Sequence, residues 1–145
     1  MISIYELVAF SIDFEGEISL AKTLKKNGTP HFQAHVKINN NLLELLQSFQ
    51  RTVRFGSVSP THLATSMFAW WLSPDEMRQY LPQIEPHLTL KAEQAVLLLQ
   101  ALRYITPRHV KGVTSSCRPS EEVWVLNDLH EQLRILNTKP SRRVK

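Results

Sequence analysis

The sequence predicts an α+β fold, in which helices cover an antiparallel sheet. Residues 31–38 alternate without interruption between polar and apolar side chains, which is typical of a strand with one buried face. Apolar residues instead recur at helical spacing in residues 42–49 and 123–136. The segments follow the order helix, hairpin, helix, hairpin and further helices, and hairpins join antiparallel strands.

The first half of the chain is predicted to form a helix, a hairpin and a second helix. Residues 4–14 are rich in apolar side chains, and Gly16 follows where a helix would end. Residues 18–25 and 31–38 are the two predicted strands, and the turn-forming residues 26–30 connect them. The second helix is expected to bury a stripe made of Leu42, Leu43, Leu45, Leu46 and Phe49.

A second hairpin is predicted from strands at residues 53–59 and 62–72, with Pro60 in the turn between them. Ser73-Pro74 combines a good N-cap with proline at the first position of a helix, which should continue through Tyr80. The aromatic residues before this cap are expected to support the sheet from within the core; they are Phe68, Trp70 and Trp71.

Two more helices are expected, from about Leu90 to Leu102 and from Ser120 onward. Between them, residues 103–119 are polar and are predicted to form a connecting loop. We expect a single domain over residues 1–145, with a core of about 4–102, a C-terminal loop and helix at 103–138 and a basic tail at 139–145.

Composition limits the classes of protein to which the chain can belong. Hydrophobic residues make up 43% of the 145 residues and charged residues 21%, as in folded globular proteins. The formal net charge of +4 is compatible with a polyanionic partner. Cys117 is the one cysteine, so an intrachain disulfide and a cysteine-rich zinc site are excluded. No apolar run is long enough to span a membrane, and we expect a soluble protein of the cytoplasm.

Glu15 is a candidate metal ligand because of its place at the end of the first helix. A carboxylate there faces the negative end of the helix dipole, which is unfavourable unless another charge compensates it. A divalent cation would do so. On position alone, however, a solvated surface glutamate is the more common explanation, and Asp13 is explained well enough as a cap or a local charge.

The polar face of the strand at residues 31–38 is a candidate DNA-binding surface. It presents His31, Gln33, His35 and Lys37, whose donors and acceptors suit the base edges of a major groove. Asp and Glu are absent from residues 18–43, as on a surface that faces phosphates. An ordinary solvent face is the alternative. A zinc site at the two histidines is disfavoured because no second cluster of ligands accompanies them.

Lys91 begins a strongly apolar helix and has two interpretations. A lysine beside a buried helix start can have a shifted pKa and act near a scissile phosphate. It can also extend along the apolar surface to place its ammonium in water, which is the more common behaviour when the residue is taken alone.

These segments together resemble the LAGLIDADG homing endonucleases, and the archaeal intron-encoded members most of all. Residues 8–16 (VAFSIDFEG) are similar to the signature helix of the family, with Glu15 at its metal-binding acid and Gly16 as the following glycine. The resemblance runs in order from about residue 4 to residue 102. It includes EISL at 17–20, INNN at 38–41, GSV at 56–58, FAW at 68–70 and EPHLTLK at 85–91.

The resemblance implies the αββαββα fold of these endonucleases, with a saddle-shaped antiparallel sheet and, here, an extra C-terminal helix. It also implies an enzyme that hydrolyses DNA phosphodiesters with a metal ion as cofactor. Glu15 and the Gly16 carbonyl would bind Mg²⁺. Asn40 would position the attacking water, with Asn39 as the alternative, and Lys91 would stabilise charge near the scissile phosphate.

The single copy of the motif implies a homodimer, because single-chain members of the family carry two copies. The signature helices would pair at the two-fold axis through Leu7, Val8, Phe10, Ser11 and Phe14. The chain departs from the family pattern here: many members have small residues at positions 10 and 14 and an apolar residue at 11. Glutamate also replaces the more common aspartate at position 15. Such a dimer would cut both strands of a long, near-palindromic DNA target.

The paired sheets would lie along the major groove of double-stranded DNA. The candidate contacts are Ser19, Thr23, Lys25, His31, Gln33, His35, Lys37, Ser57 and Ser59. Two alternatives stay open. A protein of this fold could bind nucleic acid without cutting it, for example as a maturase that helps intron RNA to fold. The first helix could also serve only as the dimer face of a protein-interaction domain.

Overall fold

The computed structural model describes residues 2–24, 26, 28, 30–61, 66–105 and 120–138. The strands in these ranges are β1 (Gly16–Leu24), β2 (Pro30–Asn40), β3 (Ser57–Pro60) and β4 (Phe68–Trp71). The helices are α1 (Ile4–Glu15), α2 (Leu43–Val53), α3 (Pro74–Ile84), α4 (Ala92–Leu102) and α5 (Ser120–Thr138), with a short 3₁₀ helix at Glu85–His87. None of these helices is long and apolar enough to cross a membrane.

The strands form one antiparallel sheet in the order β1-β2-β4-β3. β1 and β2 pair along their whole lengths, from Gly16 opposite Ile38 to Leu24 opposite Pro30. β4 joins the other side of β2, and β3 forms the far edge. The α+β class and the antiparallel sheet, which the alternation in residues 31–38 predicted, are confirmed.

One face of the sheet is buried under the helices. Its inward side chains include Ile18, Phe32, Val36 and Trp70, each at most 2% exposed. The helices add apolar side chains to the same core, among them Ile12, Met77, Leu81, Leu98, Leu126 and Leu133. Full burial of a large apolar side chain contributes roughly 1.5–3 kcal/mol. These contacts therefore fix which face of each strand is left to solvent.

The second hairpin differs from its prediction. Val53 is the buried last residue of α2, and the strand begins only at Ser57. Arg54 ends the helix in a left-handed conformation, and Gly56 also has a positive φ, so the chain turns before the strand starts. Pro60 is the last residue of β3 rather than a turn residue. An edge strand tolerates proline because a missing N–H is least costly there.

Capping boxes define the starts of two helices. Ser3 and Glu6 cap α1, which the sequence did not predict, and Ser73 and Glu76 cap α3 at the predicted position. Glu76 also accepts the Gly56 N–H at 2.8 Å. The start of α3 is therefore tied to the turn that precedes β3.

Gly56 should not tolerate a side chain. A Cβ there would lie 2.3 Å from Nε1 of buried Trp70, and φ is +86°. We expect Gly56→Ala to lower the free energy of unfolding by more than about 2 kcal/mol, through backbone strain and displacement of the ring. Gly28 has φ +84° but no neighbour within 4 Å, so Gly28→Ala should lose only about 1 kcal/mol. Urea unfolding compares the two variants, and equal losses would contradict the contact with Trp70.

Candidate metal and nucleic-acid site

The candidate site begins where α1 passes directly into β1. Glu15 is the exposed last residue of the helix, and Gly16 is the first residue of the strand. The Gly16 N–H still donates to the Ile12 carbonyl, and a Cβ on Gly16 would lie 2.6 Å from the Ile12 Cα. Glycine is needed for this close approach. The pair Glu15-Gly16 thus places a carboxylate at a sharp junction between helix and sheet.

Asn40 reaches Glu15 from the end of β2. Its Nδ2 donates to Glu15 Oε2 at 3.3 Å, and its Oδ1 accepts the Leu42 N–H at 2.8 Å. The pairing of β1 with β2 brings the two side chains together, since Gly16 lies opposite Ile38. Asn40 is therefore a neighbour of Glu15, whereas Asn39 points to the opposite face of the sheet.

Asp13 holds the segment that carries Lys91 against α1. Its carboxylate accepts the backbone N–H groups of Thr89 at 2.8 Å and of Leu90 and Lys91 at 3.0 Å each. The Lys91 Nζ in turn donates to the Asp13 carbonyl oxygen at 2.9 Å. Lys91 is the N-cap residue of α4. Asp13 therefore fixes both the backbone and the ammonium of Lys91 near the end of α1.

This role of Asp13 was not predicted from the sequence. The buried residues of α1 are Val8, Ala9, Ile12 and Asp13, and Asp13 is only 7% exposed. A buried carboxylate needs hydrogen-bond donors, because leaving one unpaired is costly. The spacing of Asp13 from the apolar residues of the stripe is the signal that could have revealed it.

The Glu15 carboxylate is suited to bind a divalent metal ion. It is exposed, its Oε2 accepts a hydrogen bond from Asn40, and its oxygens are the hard ligands that Mg²⁺ prefers. Within the described ranges, no three His, Cys, Asp or Glu residues of one chain come together as a metal cluster. Mg²⁺ often takes one or two carboxylates and completes its shell with water and phosphate. Glu15 fits such an open site rather than a closed protein cage.

The exposed face of the sheet gathers the predicted DNA contacts. Residues that pair directly across strands share a face, so Ser19 and Thr23 lie beside His35 and His31, and β3 continues the face at Ser57 and Ser59. Gln33 and Lys37 lie on the same side of β2. Lys25 lies outside the described residues. The polar and apolar alternation predicted for residues 31–38 is confirmed by burial of Phe32, Ala34, Val36 and Ile38.

Two features of this face were not foreseen. Glu17, directly before the carboxylate-free stretch, pairs with Lys37, with Glu17 Oε2 3.3 Å from Lys37 Nζ. Trp71 was predicted to lie in the core, and this is wrong: it is 38% exposed and its Nε1 donates to Ser59 Oγ at 3.0 Å. The reason is register, since Trp71 lies opposite Lys37 and therefore on the polar side. Trp70, one residue earlier, is buried as predicted.

An exposed apolar patch lies beside Glu15. Phe14 is 80% exposed and Phe10 47%, and Leu45 of α2, which shares a pocket with them, is 52% exposed. A shallow pocket between α1 and α2 is lined by both phenylalanines, Leu45 and Glu15. Large apolar side chains grouped in this way are typical of a surface that contacts a partner.

Only some of the residues predicted to form the dimer interface are exposed on this surface. Leu7 and Ser11 are half-buried, and Ser11 Oγ donates to the Leu7 carbonyl at 2.9 Å. Val8 is completely buried in the core of its own chain, so its assignment to a dimer interface is wrong. Val8 and Ile12 are one turn apart on α1 and belong to the stripe that the helix buries.

Solved structures share this arrangement of helices and strands. The homing endonuclease I-CvuI, in complex with the I-CreI target, matches 97% of this chain and 85% of its own with a TM-score of 0.75 and 15% identity. The archaeal intron-encoded homing endonuclease I-Vdi141I, complexed with DNA, matches 97% of this chain and 88% of its own with a TM-score of 0.75 and 13% identity. The LAGLIDADG homing endonuclease I-SmaMI, bound to cleaved DNA, matches the whole of this chain and 51% of its own, with a TM-score of 0.66 and 19% identity.

The chain has the LAGLIDADG homing endonuclease fold. No family model and no curated protein matches its sequence. The fold predicted from the resemblance of residues 8–16 is confirmed, and its signature helix corresponds to α1. In this chain the fold brings Asn40 into contact with Glu15. It also brings the Lys91 ammonium to the carbonyl oxygen of Asp13, which precedes Glu15 by two residues.

The contacts of Asp13 should make it more important for stability than any exposed aspartate. Asp13→Asn keeps the shape but replaces one acceptor oxygen by a donor that faces backbone N–H groups. We expect a loss of roughly 1–3 kcal/mol in the free energy of unfolding. Asp128 on α5 is exposed and accepts from Gln132, so Asp128→Asn should change stability by less than about 0.5 kcal/mol. Equal effects in thermal unfolding would contradict the structural role of Asp13.

His35 should titrate below its usual pKa of 6.5, because burial and the nearby Lys37 ammonium disfavour its charged form, while Glu17 opposes them more weakly. Neutral His35 is thus preferred in the folded chain. Its contribution to stability is present above pH 6.5 and is lost as pH falls through the folded pKa. In an NMR titration, Lys37→Gln should raise the pKa of His35 and Glu17→Gln should lower it. A pKa at or above 6.5 in the wild type would contradict this arrangement.

Proposed function

We propose that this chain is a homing endonuclease of the LAGLIDADG type, which cuts both strands of a near-palindromic DNA target as a Mg²⁺-dependent homodimer. The observation that carries the proposal is a pair of contacts at the end of α1, where Asn40 donates to Glu15 and the Lys91 ammonium donates to the Asp13 carbonyl. The polar face of the sheet starts directly after Glu15, so the chemical groups adjoin a surface suited to DNA.

The chain's own residues would divide the hydrolysis between them. Glu15, with the Gly16 carbonyl beside it, would hold the metal ion. Bound Mg²⁺ supplies positive charge at the scissile phosphate and acidifies water. Asn40 Nδ2 has two N–H groups, so one can orient the attacking water while the other holds Glu15. The Lys91 ammonium has three donors, of which one binds the Asp13 carbonyl, and another would donate to a phosphate oxygen.

The DNA-binding part of the proposal is supported by the sheet and by the proteins that share the fold. I-CvuI and I-Vdi141I were both solved with DNA, and the I-CvuI complex contained 2 mM Mg with its DNA not cleaved. Ser19, Thr23, His31, Gln33, His35, Lys37, Ser57 and Ser59 share the exposed face and form the proposed contact surface. Side chains of this kind read base edges in the major groove.

The homodimer is supported by the exposed apolar patch at the end of α1. Phe10 and Phe14 lie on the side of α1 that the chain's own core leaves open. A two-fold axis at α1 would bring two Glu15 carboxylates together.

Glu15→Gln should strongly reduce cleavage and leave the fold unchanged, because the amide keeps the size of the side chain but not its charge. We expect Mg²⁺-dependent cleavage to fall by more than about 100-fold, as when another electrostatic stabiliser is removed. The assay captures cut ends from random double-stranded DNA incubated with Mg²⁺ or with EDTA. Glu131→Gln, at an exposed glutamate of α5, is the matched control and should cut like the wild type.

Undiminished cutting by Glu15→Gln would overturn the assignment of the metal ligand. If the wild-type protein binds nucleic acid but produces no cut ends, the result would instead favour a function in binding alone, such as that of a maturase for intron RNA.

Phe14→Ser should dissociate the dimer. Two Phe14 side chains would leave water when two copies pair, and each is expected to contribute roughly 1.5–3 kcal/mol. The dissociation constant should therefore rise by at least about 100-fold in analytical ultracentrifugation. Trp124→Ser removes an equally exposed aromatic side chain, 79% exposed, from α5 and should leave the dimer intact. A monomeric wild type, or a Phe14→Ser variant as dimeric as the wild type, would contradict this interface.

A further inference from the structure

One row of side chains crosses all four strands of the exposed face. Strand register places Glu17 opposite Lys37, Lys37 opposite Trp71, and Trp71 opposite Ser57. In sequence order these residues are far apart, and only the sheet brings them into line. The row holds, from one edge of the sheet to the other, an acceptor, a cationic donor, an aromatic ring and a hydroxyl.

The first two members of the row form an ion pair that stays accessible. Lys37 Nζ lies 3.3 Å from Glu17 Oε2, and the two side chains are 35% and 48% exposed. A glutamate on a surface that faces phosphates is unfavourable by itself, because it repels the backbone of DNA. Its neighbour Lys37 neutralises it. The ion pair is therefore compatible with a surface that faces DNA. The Glu17 carboxylate oxygens, which stay accessible, can accept hydrogen bonds from a base.

The chemistry of one base pair matches this pair of side chains. Guanine presents two acceptors, O6 and N7, in the major groove, and its partner cytosine presents the N4 amino donor beside them. Lysine donates to guanine at these atoms, and glutamate accepts from cytosine N4. An A·T pair presents an acceptor, a donor and an acceptor in that order, so it lacks the two adjacent acceptors followed by a donor that lysine and glutamate would meet on a G·C pair.

We propose that Glu17 and Lys37 together read one G·C base pair in each half of the DNA target, with Lys37 on guanine and Glu17 on cytosine. This inference rests on the proposed DNA-binding function and adds the residues that determine specificity at one position. Trp71 lies on the other side of Lys37 in the row and its Nε1 is bound to Ser59, so a fixed ring borders the lysine there. Lys37 therefore lies between Trp71 and Glu17 in the row, which favours one orientation of the base pair.

Exchanging the two charges tests the proposal directly. The double variant E17K/K37E keeps the ion pair and the net charge, but it moves the donor to β1 and the acceptor to β2. Double-stranded DNA of random sequence is offered to wild type and variant, and the bound molecules are sequenced. The wild type should prefer G·C over C·G at one position of each half-site by about 10-fold or more. The exchanged variant should reverse that preference and keep the others.

A single variant and a matched exchange complete the experiment. Glu17→Gln makes the smaller change and should weaken the preference at the same position alone by about 5-fold or more. The exchange E131R/R134E inverts another exposed ion pair, on α5, and should leave every position unchanged.

An unchanged selected sequence in both E17K/K37E and Glu17→Gln, with native circular dichroism, would overturn the inference while DNA binding stands. Failure of the wild type to enrich any DNA would overturn the proposed function itself, and the inference with it.

Discussion

The Asp13 carboxylate is the contact on which the candidate site depends. Three backbone N–H groups and the Lys91 ammonium meet at this one residue of α1, which is buried to 7% exposure. They join the end of the first helix to the start of α4, more than seventy residues later in the chain. Because Glu15 follows two residues after Asp13, the positions of Glu15 and Lys91 are set by the same anchor.

The direct passage from α1 into β1 connects Glu15, the proposed metal ligand, with the sheet face proposed to bind DNA. Gly16 ends the helix and begins the strand, so no loop separates Glu15 from the first side chain of the exposed sheet face. The second strand returns along the first and delivers Asn40 to the same end. A rigid helix and a paired strand therefore hold both residues. Groups carried by regular elements keep their geometry better than groups carried by loops.

The local pattern of the sequence predicted the elements and the strongest candidates. Alternation in residues 31–38 was sufficient for the strand and its polar face, and Glu15, Lys91 and Asn40 were found through their motif. What escaped prediction depends on contacts between distant segments. The Glu17–Lys37 pair and the exposure of Trp71 follow from register, and the hydrogen bonds of Asp13 require residues 89–91, just before α4, to lie against α1. Val8 was misassigned because helix rotation, which tertiary packing sets, decides which stripe is buried.

Paramagnetic broadening by Mn²⁺ tests the central claim, that the end of α1 is a divalent metal site, without any knowledge of the DNA target. Mn²⁺ uses the same oxygen ligands as Mg²⁺ and broadens NMR signals of nearby amides. Added at increasing concentration to the wild-type protein, it should first broaden the amides of Glu15, Gly16, Asn40 and Lys91, and this selectivity should vanish in Glu15→Gln. Broadening that starts at other carboxylates, or that is the same in Glu15→Gln, would contradict the claim.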